Sequence, residues 1–404
     1  MALAVSWDGT TMEITGGTSG TPITWADVWD YDTDSTDVNG AGDTDGTAVA
    51  LNTLMTEVIE DSVYTIDVPV EIGDGSTPTY FQSKSEHVIF DLQAVCEVQA
   101  AATLEIGDLY GDWGIFGSSW DIGGTNNSDN LNFCDGGTLL IYASKIWGNN
   151  TSSLTFNTGT LKIKNSILGY DFQSDWNWRR RYVVQSGMTT VEFEDVFIYG
   201  TQSLLLRMNP GVFENVHMHR GSVGVESGAN GIVVLGFKSS SNNDDLKTWT
   251  SGAAFDIAGR DMDDAISSVV NVGNDASWCA EQFTCNINIC DKDGTALQSV
   301  VVDCLGSDSG TASTEYDTAQ WTAGTITTDA SGDIAEQVIT QKKWVGTAET
   351  LTNYNYFKFT LSKAGYETLI LDNITVDAPI AWHLELKGPV RYKLGSDTFF
   401  EDDS

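Results

Sequence analysis

Ile163-Lys164-Asn165-Ser166-Ile167-Leu168, Phe193-Glu194-Asp195-Val196-Phe197-Ile198 and Phe213-Glu214-Asn215-Val216-His217-Met218 share one residue grammar. Each runs apolar, charged, Asn or Asp, small or branched, variable, apolar. The third stretch follows the second after a short step, and the second follows the first after a longer one. Self-similarity at a recurring period on strand-forming segments is the signature of a solenoid, in which each repeat buries its face only against its neighbours. The expected fold class is therefore all-β.

Around these stretches an alternating apolar pair recurs at Val88-Phe90, Leu104-Ile106, Leu139-Ile141, Leu161-Ile163, Val191-Phe193, Ile232-Val234 and Phe255-Ile257. The steps from Ile141 to Ile163 and from Phe193 to Phe213 match one turn of a three-sided parallel coil. A loop stretches the step between them, from Ile163 to Phe193. Asn165, Asp195 and Asn215 would then stack at one corner, where a short polar side chain bonds the turning backbone and tolerates left-handed geometry. Upstream, Tyr64, Ile66, Val68, Val70 and Ile72 alternate with polar or small residues and predict one half-buried strand. On rung period and Asn corner, the stretch from about 60 to 262 resembles the pectate-lyase-like right-handed parallel β-helix proteins. That resemblance implies a β-helix over 61–265. The family spans polysaccharide lyases, glycoside hydrolases, adhesins and phage tailspikes, so it implies little about activity.

Residues 1–60 form a separate N-terminal attachment or capping region. Val5 to Ile14 predicts a hairpin around Asp8-Gly9, and Thr24 opens a short helix over Trp25-Ala26-Asp27-Val28-Trp29. The run that follows carries Asp30, Asp32, Asp34 and Asp37 among Gly, Ser and Thr. It reads as a solvated acidic loop, with calcium as the alternative because alternate carboxylates on a turning backbone suit an oxygen-liganded ion. No other cofactor is expected. After Gly259-Arg260-Asp261 the grammar changes to short strands with Asp-Gly turns, which predicts an antiparallel β-sandwich over 275–390. The order Asp291-Lys292-Asp293-Gly294, Val300-Val301-Val302, Thr327-Thr328-Asp329-Ala330-Ser331-Gly332 and Lys363-Ala364-Gly365-Tyr366-Glu367 resembles the carboxypeptidase-regulatory, transthyretin-like sandwich domain. The resemblance implies an accessory, adhesive or spacing module. Residues 391–404 form an acidic tail.

The 57 acidic against 20 basic residues give a net charge of −37. Such a charge repels nucleic acid and disfavours anionic membranes, and no apolar run reaches the roughly 18 residues of a membrane span. Nucleic-acid binding and membrane insertion are not expected. The N-terminus lacks a basic region followed by an apolar core, so no signal peptide is visible. Without one, the six cysteines are expected as buried reduced thiols; the spacings of Cys279, Cys285, Cys290 and Cys304 match no standard zinc pattern.

Glu192, Glu194 and Glu214 alternate with core residues and point outward. Glu194 and Glu214 fall in one column on successive rungs, and with His217 they are the candidates for catalysis; solvated side chains are the plainer reading. His217 and His219 share the outward face, with Phe197 and Tyr199 one rung away and Arg220 at the strand end. An outward patch of Phe, Tyr, His and Arg suggests a cover, either a sugar or another protein. The lengthened step holds Trp176, Trp178, Arg179, Arg180 and Arg181, the residue types enriched at binding hot spots, as a docking loop for an acidic surface.

Two β-rich architectures with no convincing catalytic constellation give the expectation of a structural virion surface protein: capsid decoration, fibre or spike. Its expected partners are itself, as a trimer, and other virion proteins such as capsid, with a host-surface glycan as a further ligand. Two alternatives stand beside it: a β-helix polysaccharide depolymerase, and an extracellular or cell-surface adhesin or filament subunit.

Overall fold

A computed structural model of the chain describes residues 2–32, 37–38, 49–50, 53–59, 63–90, 94–108, 119–122, 131–148, 153–170, 181–199, 203–219, 221–226, 231–236, 238–240, 246–248, 254, 256–262, 266, 269–271, 274–307, 316–388, 390–394 and 397–401. Most of them are strand, and the α-helix among the described residues is Trp25–Trp29. The chain is all-β, as the alternating apolar pairs predict. It divides into two compact units, Met1–Ile257 with Ile266–Ser277, and Ala258–Ala265 with Trp278–Ser404.

Parallel pairing dominates the first unit. The strands Ala102–Gly107, Leu131–Tyr142, Leu154–Tyr170, Arg181–Tyr199 and Val212–Glu214 run side by side in register. Ile106, Ile141, Ile163, Phe193 and Phe213 are successive partners, so the uneven steps between them leave the register intact. A second parallel ladder takes Trp120, Ile146, Leu168, Ile198 and Met218 in turn. A third takes Leu154, Tyr182, Leu204, Val223, Leu246 and Val269. The long strands Leu154–Tyr170 and Arg181–Tyr199 contribute to all three. Two-residue alternation puts every one of these partners on the buried side. Burial of each Leu, Ile, Val or Phe contributes about 1.5–3 kcal/mol, and a one-residue slip would turn a whole column to water. Phe193 and Phe213 add a ring contact at 5.4 Å.

Between the first two ladders the backbone turns through the left-handed region. Ala143, Asn165, Asp195 and Asn215 have φ of 43°, 51°, 54° and 52°, and Gly236 has 61°. They follow the paired residues Tyr142, Lys164, Glu194, Glu214 and Leu235, so one backbone conformation repeats on five successive strands. Asn and Asp adopt it at lower cost than other non-glycine residues. Gly236 serves a second need, because a Cβ there would meet Asn215 Oδ1 at 2.4 Å.

The hairpin and the helix expected near the N-terminus are both present. Ala4–Trp7 and Met12–Thr15 form the hairpin, with Asp8 Oδ1 accepting from the backbone N–H of Thr10 and Thr11. Thr24 caps the helix, its hydroxyl accepting from Asp27 N while the Asp27 side chain accepts from Thr24 N. That reciprocal box satisfies two amides that the helix leaves open. It also aims Trp25 and Val28 inward, and Trp25 packs on Phe81, Phe90 and Trp120 at 4.8, 6.2 and 5.8 Å. The predicted strand over Tyr64–Ile72 is instead two, Val63–Ile66 and Val70–Ile72. Pro69 has no N–H to give a ladder, and the chain changes partners there, from His87–Phe90 to Met12–Thr15 and Cys96–Gln99.

In the second unit, Trp278–Asp291 pairs antiparallel with Gln337–Val345, which pairs antiparallel with Thr350–Asn353. A separate four-stranded sheet holds Thr318–Ala319, Val301–Gly306, Phe357–Ser362 and Leu369–Ile374. One core draws on both, with Phe283, Ile287 and Ile289 against Val302, Cys304, Phe357 and Phe359. The expectation of uniformly antiparallel pairing fails at one place. Ile380–Leu386 runs parallel to Trp278–Asp291, from Cys285 opposite Ile380 to Asp291 opposite Leu386. Alternation in a single strand carries no information about its partner's direction.

Candidate functional site

The outward face of the first unit sorts the predicted site residues into two groups. The carboxylates form an ion-pair block. Lys162, Glu192 and Val212 are successive partners, as are Lys164, Glu194 and Glu214. Lys162 Nζ donates to Glu192 Oε1 at 2.8 Å and Lys164 Nζ to Glu194 Oε2 at 2.6 Å. The Glu194 carboxylate, followed by that of Glu192, holds the Lys164 ammonium above its usual pKa. Glu194 and Glu214 do stand side by side, but Lys164 neutralises Glu194 and Glu214 is exposed. Glu194 is thus held in an ion pair while Glu214 faces solvent.

The aromatic and imidazole residues form a stack. Phe197 and His217 meet edge to face at 4.8 Å, and Tyr199 and His219 lie parallel at 5.1 Å with 5° between planes. Phe197 and Tyr199 are themselves stacked at 6.4 Å. Trp147, which the sequence did not single out, extends the row: it lies 6.1 Å from Tyr199 at 20°, with Lys145 Nζ 4.4 Å from its ring centre. Trp147 and Tyr199 are two strand steps apart, with Gly169 between them in register. A Cβ at Gly169 would meet the Trp147 ring at 2.1 Å, so the missing side chain is what lets the two rings touch. Trp147, Phe197, Tyr199, His217 and His219 are all half-buried.

Of the predicted docking loop, Trp176, Trp178, Arg179, Arg180 and also Arg220 lie outside the described residues. Arg181 opens the strand Arg181–Tyr199 opposite Ser203. Burial lowers its guanidinium pKa, partly offset by Glu226. Next to it Arg207 bonds Glu226 at 2.5 Å and Gln185 at 2.8 Å. Of the calcium candidates, Asp30 is exposed at the helix C-cap. Asp32 and Asp37 have described backbone only, and Asp34 lies outside the described residues. Among the described residues no group of three or more His, Cys, Asp or Glu side chains is placed to hold a metal ion.

A second acidic column escaped the sequence reading. Glu13, Glu71 and Glu97 are direct partners on three adjacent parallel strands. Among the described residues no basic side chain answers them as Lys162 and Lys164 answer Glu192 and Glu194. Burial, and then the charges of Asp135 and Glu71, push the Glu97 carboxyl up to about 7. Glu71 and Glu13 are raised for the same reasons, with Glu13 acting on Glu71 and Asp74 on Glu13. The interval from Glu13 to Glu71 is more than twice that from Glu71 to Glu97, too uneven for a period search to align them. Glu86, also raised to about 7 by burial, accepts from Ser83 Oγ at 2.7 Å. Ser83 Oγ in turn accepts from Trp120 Nε1 at 3.0 Å.

No protein-family model, no curated protein and no solved structure matches this chain.

Proposed function

We propose that the first unit is a right-handed parallel β-helix, that the second is a transthyretin-like sandwich, and that the protein is a structural component of a virion surface. The observation that carries the reading is the row Trp147, Tyr199 and His219 with Phe197 and His217 beside it. It is a half-buried strip of rings in register across neighbouring strands, with Gly169 standing between Trp147 and Tyr199. Rings in that number on a strongly acidic protein favour a contact that removes them from water. Three ladders that the chain visits in rotation support the β-helix. The likeness of the C-terminal turn order to spacer modules supports display at a surface. In this reading the strip packs against further copies of the chain, in a trimer, and the oligomer attaches to capsid. Glycan binding is secondary.

Sedimentation equilibrium of the whole chain tests the carrying step. A three-fold mass that collapses to the monomer in Tyr199→Ser with Phe197→Ser, at unchanged circular dichroism, is the expected outcome. A monomer at tens of micromolar overturns it. Fractionation of the native source then asks whether the chain travels with particles at fixed stoichiometry.

One observation favours the depolymerase as a second reading. The backbones that carry Glu13, Glu71 and Glu97 stand about 4.8 Å apart along the ladder, which lets neighbouring carboxyls approach the spacing used to form a glycosyl-enzyme intermediate, and burial with nearby charges raises Glu97 to about 7. Release of reducing ends from polysaccharide, lost in Glu97→Gln, would establish it.

A further inference from the structure

The second unit carries a cleft of about 430 Å³ whose walls include Asn286, Asn288, Asp333, Ala381 and His383. Alternation along Trp278–Asp291 sends Cys285, Ile287 and Ile289 into the core and turns Asn286, Asn288 and Cys290 to the opposite side. On the neighbouring strand His383 lies opposite Asn288, and Glu385 opposite Cys290. His383 Nε2 sits 3.4 Å from Cys290 Sγ. At the cleft wall Asn288 Nδ2 donates to Asp333 Oδ1 at 2.6 Å and to Ser331 O at 3.0 Å, which holds the Asp333 carboxylate in place.

The six cysteines differ sharply in setting. Cys285 and Cys304 belong to the core. Burial raises the thiol pKa of both, Cys285 to about 12. It does the same to Cys96 and Cys134 in the first unit, Cys134 to about 12. Cys279 is fully buried. Cys290 is 6% exposed, and its sulfur meets the imidazole of a histidine that is itself exposed. A thiolate is the reactive form of cysteine, and a neighbouring imidazole that takes the proton raises its share.

We propose that Cys290 and His383 form a thiol–imidazole pair, and that the cleft beside them admits a small cationic disulfide which Cys290 takes up as a mixed disulfide. His383 accepts the Cys290 proton at Nε2. The thiolate then attacks one sulfur of the disulfide, a new S–S bond forms as the old one breaks, and the departing thiolate recovers the proton. The disulfide is the only oxidant required. Cys290 is not itself in the cleft wall; His383 joins the two, lining the cleft and contacting the sulfur. The class follows from charge: Asp333 lines the cleft, Glu385 stands opposite Cys290, and the chain carries −37, so a disulfide bearing ammonium groups is drawn in and one bearing carboxylates is repelled.

The test treats the native full-length chain with cystamine and, separately, with bis(2-carboxyethyl) disulfide. Each rate is divided by that of an unstructured cysteine peptide with the same reagent, and adducts are mapped by peptide mass. The expected adduct is on the Cys290 peptide, absent in Cys290→Ser, and formed about tenfold faster with cystamine after normalisation. Asp333→Asn narrows that preference at least threefold. His383→Phe and His383→Gln, each with an unchanged melting curve, slow the reaction about tenfold. Adducts spread evenly over the six cysteines, first adducts at Cys285 or Cys304, or undiminished rates in both His383 variants would overturn the proposal.

Discussion

Asn215 donates from Nδ2 to Asp195 Oδ1 at 2.9 Å, one strand step away, while both backbones hold left-handed φ of 52° and 54°. The side chain thus contributes twice, by tolerating the turn and by bonding the same turn on the next strand. Asn215→Ala should cost about 1–2 kcal/mol, from left-handed strain and an exposed hydrogen bond. Asn215→Gly should cost less than half as much, since glycine keeps the turn. Urea unfolding of the two variants separates the contributions, and equal losses would show that the hydrogen bond alone matters.

The buried columns should be far more sensitive. Phe193 is fully buried between Ile163 and Phe213, and Phe193→Ala should destabilise by about 3–5 kcal/mol, cavity included. Val212→Ala, on the outward side of the adjacent strand, should cost only about 1 kcal/mol. A reversal of that order in denaturant midpoints would refute the assignment of the inward face.

Stability should fall as pH rises. Glu86 and Glu97 bind a proton up to about pH 7 in the folded chain and only to about 4.3 when unfolded. Between those values the folded state holds more protons. The stability they contribute is present in full below about pH 4.3 and lost as pH climbs through 7. A melting midpoint several degrees lower at pH 8 than at pH 5.5 is expected. Glu97→Gln and Glu86→Gln should each flatten the slope, and a variant with the wild-type slope would clear that residue of the effect.

Lys164 and Glu194 should couple weakly despite 2.6 Å between them. Their side chains are 28% and 38% exposed, and solvent screening leaves such pairs about 0.2–1 kcal/mol. A double-mutant cycle with Lys164→Met and Glu194→Gln, at low and at high NaCl, should return a small term that shrinks with salt.

Gly169→Ala should push the Trp147 ring off Tyr199, because the added methyl occupies the ring's place. The near-ultraviolet circular dichroism of the pair should weaken in Gly169→Ala and in Trp147→Phe alike, without a further change in the double variant. An additive change would mean that the two residues act separately.

Much of this was legible in the sequence. The repeated grammar located the inward columns and the left-handed positions at Asn165, Asp195 and Asn215. The residue that closes a turn in φ-positive geometry is chosen by local sterics. Thr24 and Asp27 likewise announced the helix start. What escaped depends on partners. Trp147 meets Tyr199 only because Gly169 lies between them. Glu13, Glu71 and Glu97 align across unequal chain intervals. The parallel placement of Ile380–Leu386 leaves no trace in its own alternation. Lys162 and Lys164 were visible as residues, but their claim on Glu192 and Glu194 appears only once the register is known.

The long step from Ile163 to Phe193 has a practical consequence. Ile163 pairs with Phe193 and Leu168 with Ile198 as cleanly as the partners joined by the shorter steps on either side. The register on either side of Tyr170 and Arg181 is thus kept across a connection longer than its neighbours. A peptide or small domain spliced between those two positions is expected to ride as cargo while the strands keep their alignment, which makes it the place to try a foreign epitope or an affinity handle.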